Sequence, residues 1–445
     1  MQISYKKPAW YWFFSFVLFM IGGVLLRDGG AQPALLATID HVNDGLGISD
    51  PGSFAIGAKD IFLHGWVQPA NYWVVGFWPP GFMLLEGWLL KVFGGNAPII
   101  VLAQVCACAM LATMVTVQRR YLSRFVSIAA ASLLPFLIFV FPMPRLFLFE
   151  PIGIVMSETF SVSFFITAGL LMLEAVESGR LRVAAWAGLL YALSAYFRSQ
   201  YEVFVMVATA VGVLAVVALA WRARKAKAPS IRTDSLFSIK AILLALTVAH
   251  VLMVPWRMHS YATHGNFLWV QTSSLTVRTA LSTDDALLAE NGSFVINGGG
   301  NLACKLEPDY CGKNDRSLFL KAFFQNPVKW ISAKLALARN YWNTFSYPHN
   351  PLSAWFYAMD GVANIVFLLC LLISLPLLWV VRGYRWWAVL AWSVASLYGA
   401  AAVIFVLVHF ESRYFYILKI FSFTTVMSMM AIWWRGSSVG WRMAR

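Results

Sequence analysis

One acidic residue, Asp50, stands in a turn-forming segment that suits a reactive carboxylate. It lies within Ser49-Asp50-Pro51-Gly52-Ser53-Phe54, inside a stretch at 27–96 that separates the first long apolar run from the second. A carboxylate held in such a loop can act as a general base, which takes a proton from a hydroxyl or an amine. The same residue can be a turn former or the N-cap of a helix over 54–63. The residues alone leave both interpretations open.

Other ionisable residues stand at the ends of apolar runs, on the side of the membrane that the basic flanks of these runs predict to be outside. Charges at a membrane edge are costly and often mark function. Arg198, Arg257 and Arg413 carry guanidinium groups, whose fork of donors matches phosphate oxygens. For each residue alone, an interfacial ion pair, a snorkelling side chain or contact with anionic lipid is the alternative. The remaining members of this group are Lys59, His64, Arg145, Glu150, Glu158, Glu202, His259, His409 and Glu411.

The composition is that of a polytopic membrane protein. Of the 445 residues, 60% are hydrophobic and 12% are charged, and the mean hydropathy is +0.68. The net charge of +14 would suit nucleic acid, but Lys and Arg also accumulate in the cytoplasmic loops of membrane proteins. We therefore attribute the charge to topology and expect no nucleic-acid partner. The first apolar run is long enough to span, so it is expected to remain as a helix rather than be removed as a signal peptide.

Apolar runs and their basic flanks predict ten membrane-spanning helices with both termini inside. The predicted spans are 8–26, 97–117, 126–141, 157–175, 184–197, 203–221, 240–256, 355–380, 386–408 and 415–434. A further run at 79–93 is short, and counting it as a span would invert every later loop against its charge. We predict that it forms a juxtamembrane or re-entrant helix that caps the first outer loop.

The predicted fold class is therefore all-α, with about ten transmembrane helices, juxtamembrane helices in the first outer loop and a small extracytoplasmic loop region. Three regions follow along the chain: an N-terminal bundle that includes the first loop, a long outer loop and C-terminal helices. These regions are 1–255 with the first loop at 27–96, then 256–352, and then 353–445. The long loop contains a predicted helix over 316–341. It also contains Cys304 and Cys311, which can form one disulfide in an oxidising compartment.

Motifs of soluble enzymes are absent from the sequence. It contains no phosphate-cradling Gly-x-x-x-x-Gly-Lys-Ser/Thr, no nucleophile elbow and no His-Glu-x-x-His. The glycine run at 297–301 lacks the strand and helix context of a nucleotide loop. We expect no tightly bound cofactor and no protein metal site, and the residues leave a divalent-cation requirement open.

Several segments, taken in order, resemble the multispan glycosyltransferases of the GT-C type that use polyprenyl-phosphate sugars. This family includes the protein O-mannosyltransferases and the lipid A aminoarabinose transferase. The similar segments are Ser49–Ala55 with Ala58, Trp78-Pro79-Pro80-Gly81 through Phe93-Gly94, Ser157-Glu158-Thr159, Pro255-Trp256-Arg257 with Gly265-Asn266-Phe267, and His409-Phe410-Glu411-Ser412-Arg413-Tyr414. The chain departs from the pattern in having one acidic residue in the first-loop motif, Trp78 in place of a lysine, and no Asn after Arg257. It also shows no large soluble domain after the last predicted span, which argues against a full protein mannosyltransferase.

The resemblance implies a one-step inverting transfer in which Asp50 deprotonates the acceptor. It assigns donor-phosphate contacts to Arg413, Arg257, Arg198 and Lys59. It assigns supporting or acceptor-binding roles to Glu158, His409, Glu411, Tyr414 and His64. The implied donor is a polyprenyl-phosphate sugar, and the acceptor is an envelope glycan, lipid or protein that the long loop would select. The expected location is a bacterial inner membrane with a periplasmic site, although a eukaryotic endoplasmic reticulum would use the same geometry.

Two other classes remain as alternatives. A flippase for lipid-linked sugars, or another transporter, predicts paired charges at mid-membrane and inverted repeats with broken helices, and the sequence shows neither clearly. A different outer-face transferase, such as an acyltransferase, would use a mid-span histidine with a nearby acid. His250 lies near the middle of a predicted span without an acid beside it in the sequence.

Overall fold

A computed structural model describes most of the chain as a bundle of helices. The described residues are 8–25, 36–46, 50–140, 157–225, 229–265, 321, 324–342, 360–382, 387–407 and 412–443. Within these ranges the chain is almost entirely helical and contains no strand. The predicted all-α class is confirmed. The long-loop cysteines and the glycine run lie outside the described residues.

We number the α-helices of the described residues in chain order. They are α1 Pro8–Leu25, α2 Ile39–Leu46, α3 Asp50–His64, α4 Tyr72–Phe77, α5 Gly81–Phe93, α6 Ile99–Leu122, α7 Ile128–Leu133, α8 Glu158–Ser178, α9 Leu181–Phe197, α10 Gln200–Lys225, α11 Pro229–His264, α12 Pro327–Trp342, α13 Asp360–Val380, α14 Trp387–Leu407 and α15 Ser412–Met443. Two 3₁₀ helices, Pro69–Asn71 and Leu134–Val140, join this set.

Seven helices in the described ranges are long and apolar enough to cross a membrane. They are Pro8–Leu25, Ile99–Leu122, Glu158–Ser178, Gln200–Trp221, Leu236–His264, Gly361–Val380 and Ile417–Arg435. The other three predicted spans coincide with the shorter apolar helices Ile128–Val140, Leu181–Phe197 and Trp387–Val403. An integral membrane protein is therefore supported, and the count of ten spans stays a prediction.

Helix α5 corresponds to the apolar run at 79–93. It contains 13 residues, so at 1.5 Å per residue it is about 20 Å long, which is shorter than the ~30 Å hydrocarbon core of a bilayer. It is not among the candidate spans of the described chain. This agrees with its interpretation as a helix that does not cross.

Helices α3 and α5 lie side by side in parallel, and glycines set how closely they approach. A Cβ atom on Gly57 would lie 2.4 Å from Met83 Sδ, and one on Gly87 would lie 2.6 Å from Ile61 Cγ2. Both pairs keep the same offset along the two helices, which defines the parallel register. The first loop is therefore a packed helical unit, and we call the end of the bundle that it contacts the loop end.

Helix α8 is the most deeply buried of the candidate spans and packs against α6, α9, α11, α14 and α15. Because it is apolar on all sides, it suits the centre of a bundle rather than its rim. Helix α11 runs beyond the predicted end of its span at 256, through Pro255, and ends at His264. The helix therefore continues past the predicted span, since prolines are tolerated inside membrane helices where their surroundings satisfy the backbone groups they free.

Candidate functional site

Two buried ion pairs lie next to each other at the loop end. Arg198 Nη2 is 3.0 Å from Glu158 Oε1, and Arg257 Nε is 2.9 Å from Glu202 Oε1. All four side chains are at least nine-tenths buried, and Glu202 is fully buried. Arg198 and Glu202 are four residues apart around the start of α10, so the pairs are neighbours. The structure thus brings together the predicted residues Arg198, Arg257 and Glu158 with Glu202.

Ser157 fixes the first of these pairs. Its backbone has a φ of 66°, in the left-handed region that non-glycine residues rarely adopt. Its hydroxyl donates a hydrogen bond to the carbonyl oxygen of Phe197 at 2.9 Å. This bond joins the start of α8 to the end of α9, and therefore brings Glu158 to Arg198. A strained residue beside a buried ion pair is typical of functional sites.

A chain of phenylalanine rings connects the first loop to the ion pairs. The ring of Phe54 is 5.3 Å from that of Phe82, which is 5.7 Å from that of Phe160. Phe160 stacks on Phe197 at 5.0 Å. Each of these residues lies within about one turn of an end of α3, α5, α8 or α9. The starts of three helices and the end of a fourth therefore meet at this cluster.

Asp50 is the first residue of α3, one turn before Phe54. The backbone of the predicted base thus begins at the ring cluster that adjoins Glu158 and Arg198, while its side chain lies outside the described part of the structure. Gly81, at the start of α5, allows the first loop to pack closely against the end of α9. A Cβ atom at this position would be only 2.5 Å from the carbonyl oxygen of Tyr196.

A histidine that the sequence reasoning left unassigned joins the second ion pair. Arg257 Nη1 is 3.0 Å from His250 Nδ1, and His250 Nε2 is 2.8 Å from Thr209 Oγ1. His250 and Arg257 are seven residues apart, which places them on one face of α11 two turns apart. This spacing is a signal that the sequence contained. Glu202, on α10, is the acid associated with His250, and Arg257 links the two residues.

Lys59 and His64 lie in the second half of α3. Lys59 Nζ donates to Asp40 Oδ1 at 2.7 Å in a pair that is about half exposed, and this hydrogen bond raises the pKa of Lys59. His64 is exposed at the end of the helix, about 21 Å along the axis from Asp50. Neither placement tests the predicted roles.

The predicted late motif is only partly described. Arg413 and Tyr414 belong to the first turn of α15, and their side chains lie outside the described part of the structure. His409 and Glu411 also lie outside the described residues. Their assigned roles stay predictions.

Glu86 and Lys419 are buried ionisable residues that the sequence reasoning missed. Glu86, one turn after Phe82, is 3% exposed, and its Oε2 has no hydrogen-bond partner in the structure. Burial raises the pKa of Glu86 to about 8. Lys419 is 1% exposed and donates to the carbonyl oxygen of Trp342 and to Asn364 Oδ1, both at 2.7 Å. Lys419 therefore fastens α12 and α13 to α15.

An apolar cleft begins next to the ion pairs. Phe165 contributes to its wall, and the Phe165 ring is 5.4 Å from that of Tyr201, the neighbour of Glu202. The cleft is open to the outside of the protein at its mouth. Other lining residues are Tyr191, Phe204, Leu246, Trp392 and Phe421. A second cleft shares Ser393 and Phe421 with the first and reaches Leu173 of α8.

The opposite end of α8 carries its own charged layer. Arg120 pairs with Glu174, and Arg124 pairs with Glu177. Arg435 donates to the carbonyl oxygen of Arg124 at 2.8 Å. Glu174 follows Glu158 by sixteen residues, so the two layers are about 24 Å apart along the helix. This separation is comparable to the hydrocarbon thickness of a bilayer.

Within the described ranges, no group of three or more His, Cys, Asp or Glu side chains is arranged to hold a metal ion. Comparison with known proteins assigns no family, since neither a protein-family model nor a curated protein sequence matches the chain. The resemblance in motif order therefore stays a prediction, and the function rests on the geometry of the site.

Proposed function

We propose that this protein transfers a sugar from a polyprenyl-phosphate donor to an envelope acceptor, such as a lipopolysaccharide, a polysaccharide or a protein. The reaction takes place at the extracytoplasmic face of a bacterial inner membrane, within a bundle of about ten spans. The observation that carries the proposal is the two buried arginine–glutamate bridges, which lie within about one helical turn of residues that line an apolar cleft. A ligand with an anionic head and an apolar chain matches this combination.

The buried arginines suit a phosphate group. Burying an ion pair costs several kcal/mol in desolvation, and the attraction between the partners offsets this only in part. The two pairs hold the guanidinium groups of Arg198 and Arg257 in fixed positions within a site of low polarity. Such groups stabilise the negative charge that develops on the departing phosphate, and they need little reorganisation to do so. Glu158 and Glu202 hold Arg198 and Arg257 in place until the donor arrives.

Asp50 is the proposed general base. It begins α3, where the positive end of the helix dipole favours an ionised carboxylate. As the acceptor oxygen or nitrogen attacks the anomeric carbon, Asp50 takes the proton from that atom. The bond from the anomeric carbon to the phosphate oxygen breaks, and its electron pair leaves with the polyprenyl phosphate. One displacement inverts the anomeric centre.

The donor proposal is tested by binding, without knowledge of the sugar. Wild-type protein in nanodiscs is titrated with undecaprenyl phosphate and with undecaprenol. The account predicts at least tenfold tighter binding of the phosphate, and loss of most of that preference in Arg413→Ala. Equal affinity of the wild type for the two lipids would contradict a phosphate site.

A transporter of lipid-linked sugars is the second candidate, and one observation favours it. The two clefts share Ser393 and Phe421, so they adjoin each other along the middle of α8. A transporter would need a path of this kind between the helices for a head group to cross the bundle. A flippase would move a labelled polyprenyl-phosphate sugar across proteoliposome membranes without an acceptor, and Asp50→Asn would leave that movement unchanged.

A further inference from the structure

The hydrogen bonds of His250 determine which of its ring nitrogens carries the proton. The hydroxyl of Thr209 donates to the carbonyl oxygen of Val205 at 2.8 Å, so its single proton is already used. The 2.8 Å contact between Thr209 Oγ1 and His250 Nε2 therefore requires Nε2–H as the donor. On the other side, Arg257 Nη1 can only donate, so Nδ1 must be the acceptor. Together these contacts assign a neutral imidazole with its proton on Nε2.

This arrangement holds the Arg257 guanidinium at two points. Glu202 accepts from Nε at 2.9 Å, and His250 accepts from Nη1 at 3.0 Å. Glu202 and Thr209 are two turns apart on α10, as His250 and Arg257 are on α11. The two helices thus form a clamp in which each contributes one residue that binds the guanidinium directly.

The choice of a neutral acceptor has an electrostatic consequence. With one carboxylate and one guanidinium, the Arg257–Glu202–His250 unit has no net charge. A second carboxylate at position 250 would hold Arg257 equally well, but it would make the unit negative and repel a phosphate. Neutral histidine fixes the guanidinium plane without adding that repulsion.

We infer that His250 is a positioning residue, which orients Arg257 toward the phosphate of the donor by accepting its N–H in the Nε2–H tautomer. The inference deepens the proposed function and rests on it, because it assumes that Arg257 meets the donor phosphate. It also gives a role to a mid-membrane histidine that the reaction itself does not use.

Two substitutions at this position separate orientation from packing. His250→Asn keeps an amide oxygen near the place of Nδ1, whereas His250→Phe keeps the ring shape and removes both nitrogens. Losing a hydrogen bond to a buried charged group has about a tenfold effect or more. Because Arg257 meets the phosphate in the bound donor and in the transition state, we expect His250→Phe to raise the donor KM about tenfold and to lower kcat as well. We expect His250→Asn to stay within about threefold in both constants. An unchanged donor KM in active His250→Phe protein would overturn the inference.

A second readout does not depend on activity. Protein labelled with ring ¹⁵N at its seven histidines is compared by NMR with His250→Asn, so that the difference spectrum isolates His250. The inference predicts a protonated Nε2 and an unprotonated Nδ1. Thr209→Val removes the hydroxyl that contacts Nε2, so it should shift the Nε2 signal more than the Nδ1 signal. A proton on Nδ1, or on both nitrogens, would overturn it. If the tautomer is as predicted but wild-type protein transfers no sugar from any lipid-linked donor, the proposed function fails and the Arg257 clamp stands.

Discussion

Each of the two buried arginines at the loop end is held by a glutamate on another element of the bundle. Charge and spacing in the sequence predicted that Arg198, Arg257 and Glu158 would gather on one side. They could not show which residues pair, because pairing depends on helix contacts between residues tens of positions apart. The role of Glu202 emerges only when α10 and α11 are seen together.

Removal of one partner from the Arg257–Glu202 pair should destabilise the protein strongly. Glu202→Gln leaves a buried guanidinium without its carboxylate, which costs about 3 kcal/mol or more. The matched control is Asp40→Asn in the exposed pair with Lys59, where about 0.5 kcal/mol is expected. Thermal unfolding in the same detergent compares the two variants. Equal losses in both would argue against a buried, compensated pair at Glu202.

Glu86 predicts a specific pH dependence of stability. Its pKa in the folded protein is about 8, against an ordinary value of 4.5. Between these values the folded state holds a proton that the unfolded state has lost, so stability falls as pH rises from about 4.5 to about 8. Glu86→Gln removes this contribution and should therefore gain stability relative to wild type across the same window. Parallel stability curves for the two proteins would show that Glu86 is not buried as an acid.

The first loop is the element on which the site depends most. The sequence predicted that the short run at 79–93 forms a helix that does not cross the membrane, because length and flanking charge are local properties. It did not predict that α3 and α5 pack in parallel or that both begin at the ion pairs. That register depends on glycines at 57 and 87, which look like ordinary apolar-run residues until the partner helix is known.

Gly81→Ala tests the docking of α5 on the bundle. The new methyl group would lie 2.5 Å from the Tyr196 carbonyl oxygen, and backbone on both sides limits relief, so a loss of about 1–3 kcal/mol is expected. The rate of sugar transfer should fall by more than the loss of folded protein explains, because the start of α3 moves with α5. Gly361→Ala is the control, since its methyl group would meet no atom within 4 Å. Full transfer activity in Gly81→Ala would mean that this contact does not position the site.

Across the whole molecule, charged layers at both ends of α8 enclose an apolar middle. The positive-inside pattern predicted which residues fall at each end, and the described ends of α8 agree with that grouping. Hydropathy located the long spans well, whereas the three short apolar helices show why ten crossings cannot be counted from length alone. Tertiary packing can bury a short apolar helix without making it a span.

Accessibility labelling tests the proposed orientation. In a cysteine-free background, His64→Cys at the loop end should react with a membrane-impermeant maleimide on spheroplasts. Ser178→Cys, at the exposed last residue of α8, should react only after permeabilisation. The reverse pattern would place the arginine-rich end outside and contradict an extracytoplasmic site.

The most direct test of the central claim is mass spectrometry of envelope glycolipids and glycoproteins from a deletion strain. The strain is complemented with wild type, with Asp50→Asn, or with the control Asp44→Asn in the exposed part of the first loop. The account predicts that one sugar unit disappears on deletion and returns with wild type and Asp44→Asn, but not with Asp50→Asn. Full restoration by Asp50→Asn, or an unchanged set of glycans in the deletion strain, would contradict it.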